Sequence, residues 1–227
     1  MKGGDMKFKN INWSGRLDVM QSGTGVLLTL FLWTHVILVS SILLGGKAMS
    51  WVAGVMELKF MTDDGHGYPW VVTLIAIVIG VLALMHMLAV MHKMPLNLKQ
   101  QLALRNQLNV INHADTRLWV WQAITGVIIM VALPVHLWLI GSAPETIGPV
   151  GSAIRIWRDH AWLLYFPLLF AAEMHAAIGI YRVALKWGAV RDLNTRVRIK
   201  KIKNIISVVF VAIGTASILA FLPHVSA

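Results

Sequence analysis

An all-α bundle of five membrane-spanning helices is the fold this sequence predicts, and three observations carry that reading. Of its 227 residues, 57% are hydrophobic and only 13% charged, roughly half the charged share of an ordinary soluble domain. Five apolar runs reach the roughly 20 residues that cross a bilayer as a helix. The basic residues cluster in the segments between runs, so the net charge of +10 reads as membrane orientation and not as nucleic-acid binding.

The runs lie at about 22–45, 70–92, 118–140, 160–183 and 204–222. Each is too long for a strand, and in lipid the backbone must satisfy its own hydrogen bonds, which makes them helices. The first twenty residues are polar and of mixed charge, so no cleavable signal peptide is expected and the first run stays in the membrane. Met94-Pro95 and Gly148-Pro149 punctuate connections. The chain reads as one domain without internal repeat or low-complexity segment. Its ten tryptophans suit interfacial belts. With no cysteine, disulfides, thiolate metal sites and iron–sulfur ligation by this chain are excluded.

Three segments that share one side hold sixteen of the twenty basic residues. They are the N-terminus (Lys2, Lys7, Lys9, Arg16), the second connection (Lys93, Lys99, Arg105, Arg117) and the fourth (Arg182, Lys186, Arg191, Arg196, Arg198, Lys200, Lys201, Lys203). The opposite side has Lys47, Lys59, Arg155 and Arg158. The positive-inside rule then places the N-terminus in the cytoplasm and the C-terminus outside.

His35, His86, His136 and His175 fall one to each of the first four runs. Polar side chains at such depth are costly and mark function; for any one alone, a hydrogen bond to a neighbouring helix is an equal reading. Depth sorts the four. At 1.5 Å per residue, His35 and His136 lie roughly 20 and 27 Å from the inner face, whereas His86 and His175 lie roughly 9–12 Å from it. An outer pair and an inner pair, each shared between two helices, are what two bis-histidine haems need. A bare metal site would gather three or four ligands at one depth. His66, His92, His113, His160 and His224 read as solvated or interfacial.

Glu173 is the clear carboxylate within a run, and such a group is either a proton carrier or hydrogen-bonded inside the bundle. Glu57, in the outer connection, can accept a quinol proton and reads equally well as a solvated loop acid.

The stretches "LDVMQSGTGVLLTLFLWTHVILVSSILLGG", "HADTRLWVWQAITG", "PETIGPVGSAIR" and "EMHAAIGIYRVALKWG" resemble the cytochrome b subunit of succinate dehydrogenase and quinol:fumarate reductase, in its form with one membrane polypeptide and two haems. The resemblance runs from about Leu17 to about residue 220. It implies haem b held by His35 with His136 (distal) and by His86 with His175 (proximal). It further implies Glu57 near quinol oxidation and Glu173 as a transmembrane proton carrier. Gln21, Ser22, Trp119 and Lys186 match haem-propionate contacts, and Arg155 matches an arginine near the distal haem. Chemically these fit, since carboxylates in a low-dielectric site need donors or cations. As plain readings, Lys186 and Arg155 are interface charges, Trp119 a belt residue, and Gln21 and Ser22 a helix start. His92 stands where a relative has arginine.

What the resemblance implies as a whole is a membrane anchor in the bacterial cytoplasmic membrane. It docks a flavoprotein with FAD and an iron–sulfur subunit on the cytoplasmic face, uses menaquinone or menaquinol, and assembles as a dimer of heterotrimers. Dicarboxylate chemistry would belong to the partners. Two readings stay open beside it: the cytochrome b anchor of a hydrogenase or formate dehydrogenase, and a haem-free transporter with a polar path through its bundle.

Overall fold

The computed structural model describes residues 13–63, 65–91, 93–94, 97–110 and 114–225. His92, His113, Lys2, Lys7, Lys9 and Pro95 lie outside them. Among the described residues there is no strand, and five helices are long and apolar enough to cross a membrane. These are α1 (Trp13–Val39), extended by a 3₁₀ turn to Leu44, α3 (Trp70–Met91), α5 (Ala114–Gly141), α7 (Trp162–Lys186) and α8 (Leu193–Ala220). Shorter helices fill the connections: α2 (Gly46–Met56), α4 (Leu98–Val110) and α6 (Pro149–Ala153), which runs into a π-turn at Ile154–Arg158. Large apolar side chains such as Leu44, Val131 and Trp138 stand exposed around the bundle, as a lipid-facing surface requires.

α1 packs on α3, α3 on α5, α5 on α7, and α7 back on α1, which closes a four-helix ring. α8 lies outside it against α7 and α1. Small residues let the helices approach: Ala89, Ala132, Ala171, Ala176 and Ala177 are buried, the pattern of membrane helix contacts. At Gly214 of α8 a Cβ would meet Leu169 Cδ1 at 2.6 Å, so a larger residue there would make the Leu169 side chain move. Pro134 and Pro167 sit inside α5 and α7; each removes one backbone donor, a loss that neighbouring transmembrane helices accommodate. A buried apolar cluster of Ile42, Met49, Ala153, Ile156, Ile218 and Phe221 ties α2, α6 and the end of α8 together.

The helix ends depart from the sequence reading at two places. α1 begins at Trp13 and not near 22, and α8 begins at Leu193 and not near 204. In both cases the helix continues beyond the apolar run as a charged segment, and on α8 Arg196 and Lys200 pair with Asp115 at the start of α5. Asp192 caps α8: its carboxylate accepts from Thr195 N at 2.8 Å and from Thr195 Oγ1 at 2.6 Å. The Thr195 hydroxyl and amide hold the Asp192 carboxyl below its ordinary value of 3.8. Since the folded value is the lower one, the cap's contribution is complete above that ordinary value and is lost as pH falls through the depressed folded value. Asp192→Ala is therefore expected to speed amide exchange at Thr195 and Arg196 at neutral pH. Equal exchange rates in the two proteins would remove the cap from the account.

Candidate functional site

The four intramembrane histidines project into the four-helix ring in two layers. His86 of α3 faces His175 of α7 with ring centroids 6.2 Å apart and planes at 81°. His35 of α1 faces His136 of α5 at 6.1 Å and 70°. With metal–nitrogen bonds of about 2 Å and a ring nitrogen about 1 Å from its centroid, two imidazoles on opposite sides of one ion place their centroids about 6 Å apart. Both pairs have that separation. Among the described residues no three His, Asp or Glu side chains gather to hold an ion, so the donor sets are pairs.

The inner pair is fixed by the helices opposite. His175 Nδ1 lies 2.9 Å from the Gln122 carbonyl and 3.4 Å from Thr125 Oγ1. A carbonyl only accepts, so Nδ1 carries the hydrogen and Nε2 keeps its lone pair. His86 Nδ1 lies 3.1 Å from Thr24 Oγ1, whose own hydrogen goes to the Met20 carbonyl at 2.7 Å, so again Nδ1 donates. Glycine makes room for each ring: a Cβ on Gly25 would stand 3.0 Å from His86 Cε1, and one on Gly126 3.1 Å from His175 Cε1.

None of these second partners was singled out in the sequence, yet a signal was there. Gln21, Thr24, Gly25 and His35 on α1 recur as Gln122, Thr125, Gly126 and His136 on α5 with identical spacing. From each glycine to the histidine beyond it is ten residues, or about 15 Å of helix, which sets the distance between layers. The outer pair has different surroundings. His35 stacks on Phe31 at 5.7 Å, and His136 meets the Tyr165 ring edge-on at 5.2 Å. His136 Nδ1 and the Tyr165 hydroxyl are buried without hydrogen-bond partners among the described residues.

At the inner end, Lys186 Nζ sits 3.0 Å from Asp18 Oδ1, and Lys93 bonds both Asp18 and Gln21. Asp18 thus links Lys186 with Lys93, and Lys93 in turn reaches Gln21. Ser22 is buried beside them and donates to the Asp18 carbonyl at 2.9 Å; Trp119 is half-buried on α5. At the outer end, Arg155 is buried in the π-turn and donates to Thr146 Oγ1.

Glu173 is 1% exposed. It points away from His175, toward α1 and α8, where Trp33 Nε1 donates to its Oε2 at 3.0 Å. Trp33 is two residues from His35 and Glu173 two residues from His175, so this carboxylate stands between the layers. Glu57 is buried and not a solvated loop acid. It ends α2, its carboxylate lies 3.3 Å from Lys59 Nζ, and its carbonyl accepts from Tyr68 N at 2.6 Å. That turn depends on Gly67 (φ +74°), where a Cβ would lie 2.8 Å from the Glu57 carbonyl.

Residues 99–216 match the model of the succinate dehydrogenase/fumarate reductase transmembrane subunit. The chain belongs to this family. The fumarate reductase cytochrome b subunit of Wolinella succinogenes is 36% identical over 209 residues, covering 91% of this chain and 81% of the relative. Fumarate reductase cytochrome b subunits from two strains of Helicobacter pylori are 35% identical over 207 residues, covering 91% of this chain and 80% of each relative. For a fumarate reductase cytochrome b family member, five spanning helices make the chain a transmembrane subunit.

Proposed function

We propose that this chain is the dihaem membrane anchor of a quinol:fumarate reductase or succinate dehydrogenase, with His86 and His175 holding the proximal haem b and His35 and His136 the distal one. The observation that carries this reading is the pair of histidine contacts at 6.2 and 6.1 Å, each the span of one ion between two imidazoles. The hydrogen bonds on His86 and His175 Nδ1 support it, because they present Nε2 to the iron. Bound there, the haems supply one-electron transfer across the bilayer, between menaquinol at the outer side and an iron–sulfur partner at the inner side.

The chain's own residues do the rest. Lys186, Gln21, Ser22 and Trp119 offer cation and donors to the proximal propionates, and Arg155 does so at the distal haem. Glu57, buried at the outer edge, accepts a proton from the quinol hydroxyl. Glu173, between the layers and donated to by Trp33, carries a proton across as electrons move. Glu173→Gln is expected to keep both haems and to slow quinol-driven turnover, measured with fumarate as acceptor.

The inner connections, rich in Lys and Arg, suit docking of an iron–sulfur subunit and, through it, an FAD flavoprotein in which fumarate and succinate interconvert. The same charge distribution supports a cytoplasmic N-terminus, an outer C-terminus and the bacterial cytoplasmic membrane. A dimer of such three-subunit complexes is the expected assembly. Purified with its partners, the complex is expected to show b-haem bands that appear on adding a menaquinol analogue and bleach on adding fumarate. A nickel or molybdenum subunit in place of the flavoprotein would assign the chain to a hydrogenase or formate dehydrogenase instead.

A further inference from the structure

We infer that Thr24–Gly25 and Thr125–Gly126 are the positioning residues of the inner haem, two copies of one device that seat each axial imidazole from the helix across and fix which nitrogen faces the iron. The inference rests on the proposed bis-histidine reading and extends it to four residues.

Each copy has the same two parts. The threonine hydroxyl gives its hydrogen to its own helix, Thr24 to the Met20 carbonyl at 2.7 Å and Thr125 to the Trp121 carbonyl at 2.8 Å. Its oxygen therefore presents only lone pairs to the incoming ring. His86 Nδ1 stands 3.1 Å from the first and His175 Nδ1 3.4 Å from the second. The Gln122 carbonyl also accepts from His175, at 2.9 Å. The glycine next in sequence leaves a gap that the same ring fills, with Nδ1 at 3.4 Å and Cε1 at 3.0 or 3.1 Å from where a Cβ would be. A methyl there is closer to the ring than ordinary contact allows, so the ring must shift by a few tenths of an ångström. An acceptor on the Nδ1 hydrogen raises the basicity of Nε2, and groups that orient a metal-bound histidine usually change metal affinity about 10–100-fold when removed. The outer pair lacks this device, since His136 Nδ1 has no partner among the described residues. The inner and outer haems should thus respond differently to the same change.

The test uses the purified membrane complex. Thr24→Val keeps the shape and removes the hydroxyl acceptor 3.1 Å from His86 Nδ1; Gly126→Ala adds the methyl; Thr24→Ser is the conservative control. Each is followed by haem content, a redox titration that resolves the two haems, and the low-spin electron paramagnetic resonance signals. Thr24→Val is expected to shift the inner haem's oxidised-to-reduced affinity ratio about tenfold, about 59 mV for one electron, with Thr24→Ser restoring it. Gly126→Ala is expected to alter the inner low-spin signal or lower inner haem content. In both variants the outer haem's potential and signal stay unchanged. Wild-type properties in Thr24→Val and Gly126→Ala, or equal shifts in both haems, would overturn the inference. A wild-type complex without two b haems would instead overturn the bis-histidine reading beneath it.

Discussion

Replacing His86 or His175 with alanine is expected to halve the haem content of the complex and abolish quinol-driven fumarate reduction. Among the described residues each imidazole is one of a pair at its proposed iron position, so its removal would leave that site with half its protein ligation. Thr24 Oγ1 or the Gln122 carbonyl then has no ring N–H to accept. The outer pair, about 15 Å further along the helices, keeps its own ligands, so one haem remains with its potential little changed. His35→Ala and His136→Ala should produce the converse, with loss of the outer haem and retention of the inner one. Pyridine haemochrome assay against protein concentration measures the stoichiometry, and the helical circular dichroism shows whether the bundle is intact. Loss of both haems from every variant, in a bundle that still folds, would mean the pairs are not independent sites.

Glu57→Gln is expected to lower quinol oxidation about 10²–10⁴-fold, the usual contribution of a general base, with both haems retained. Glutamine keeps the size and the backbone turn that Tyr68 N and Gly67 build around residue 57, but it takes up no proton. The ion pair to Lys59 is lost as well. Lys59 is 45% exposed, and pairs of that kind contribute little to stability, so the fold is expected to persist. The informative comparison is reduction of the haems by a menaquinol analogue, which should slow, against reduction by dithionite, which should not. Unchanged quinol rates would reduce Glu57 to an anchor of its turn.

The five spans and four ligand candidates were legible because apolar length and intramembrane histidine are expensive features that report directly on structure. The charged first turns of α8 were not, since Arg196–Lys203 reads as a polar connection until the helix is seen to project out of the apolar layer. α2 and α4 were hidden for a similar reason: short helices in connections lack the run length on which the reading depends. Asp18 and Lys93 look like ordinary flanking charges in sequence, and only the packing of α1 against α3 and α7 brings them to Gln21 and Lys186. The Thr–Gly repeat escaped because "QSGTG" and "QAITG" share three residues about a hundred positions apart. Its meaning depends on which rings those helices meet.

Haem stoichiometry and spectrum of the wild-type complex test the central claim most directly. Two b-type haems per chain, each giving a low-spin signal of two nitrogen ligands, is the expected result. No haem, a single haem, or a high-spin iron open to carbon monoxide would contradict the two histidine pairs as axial ligands.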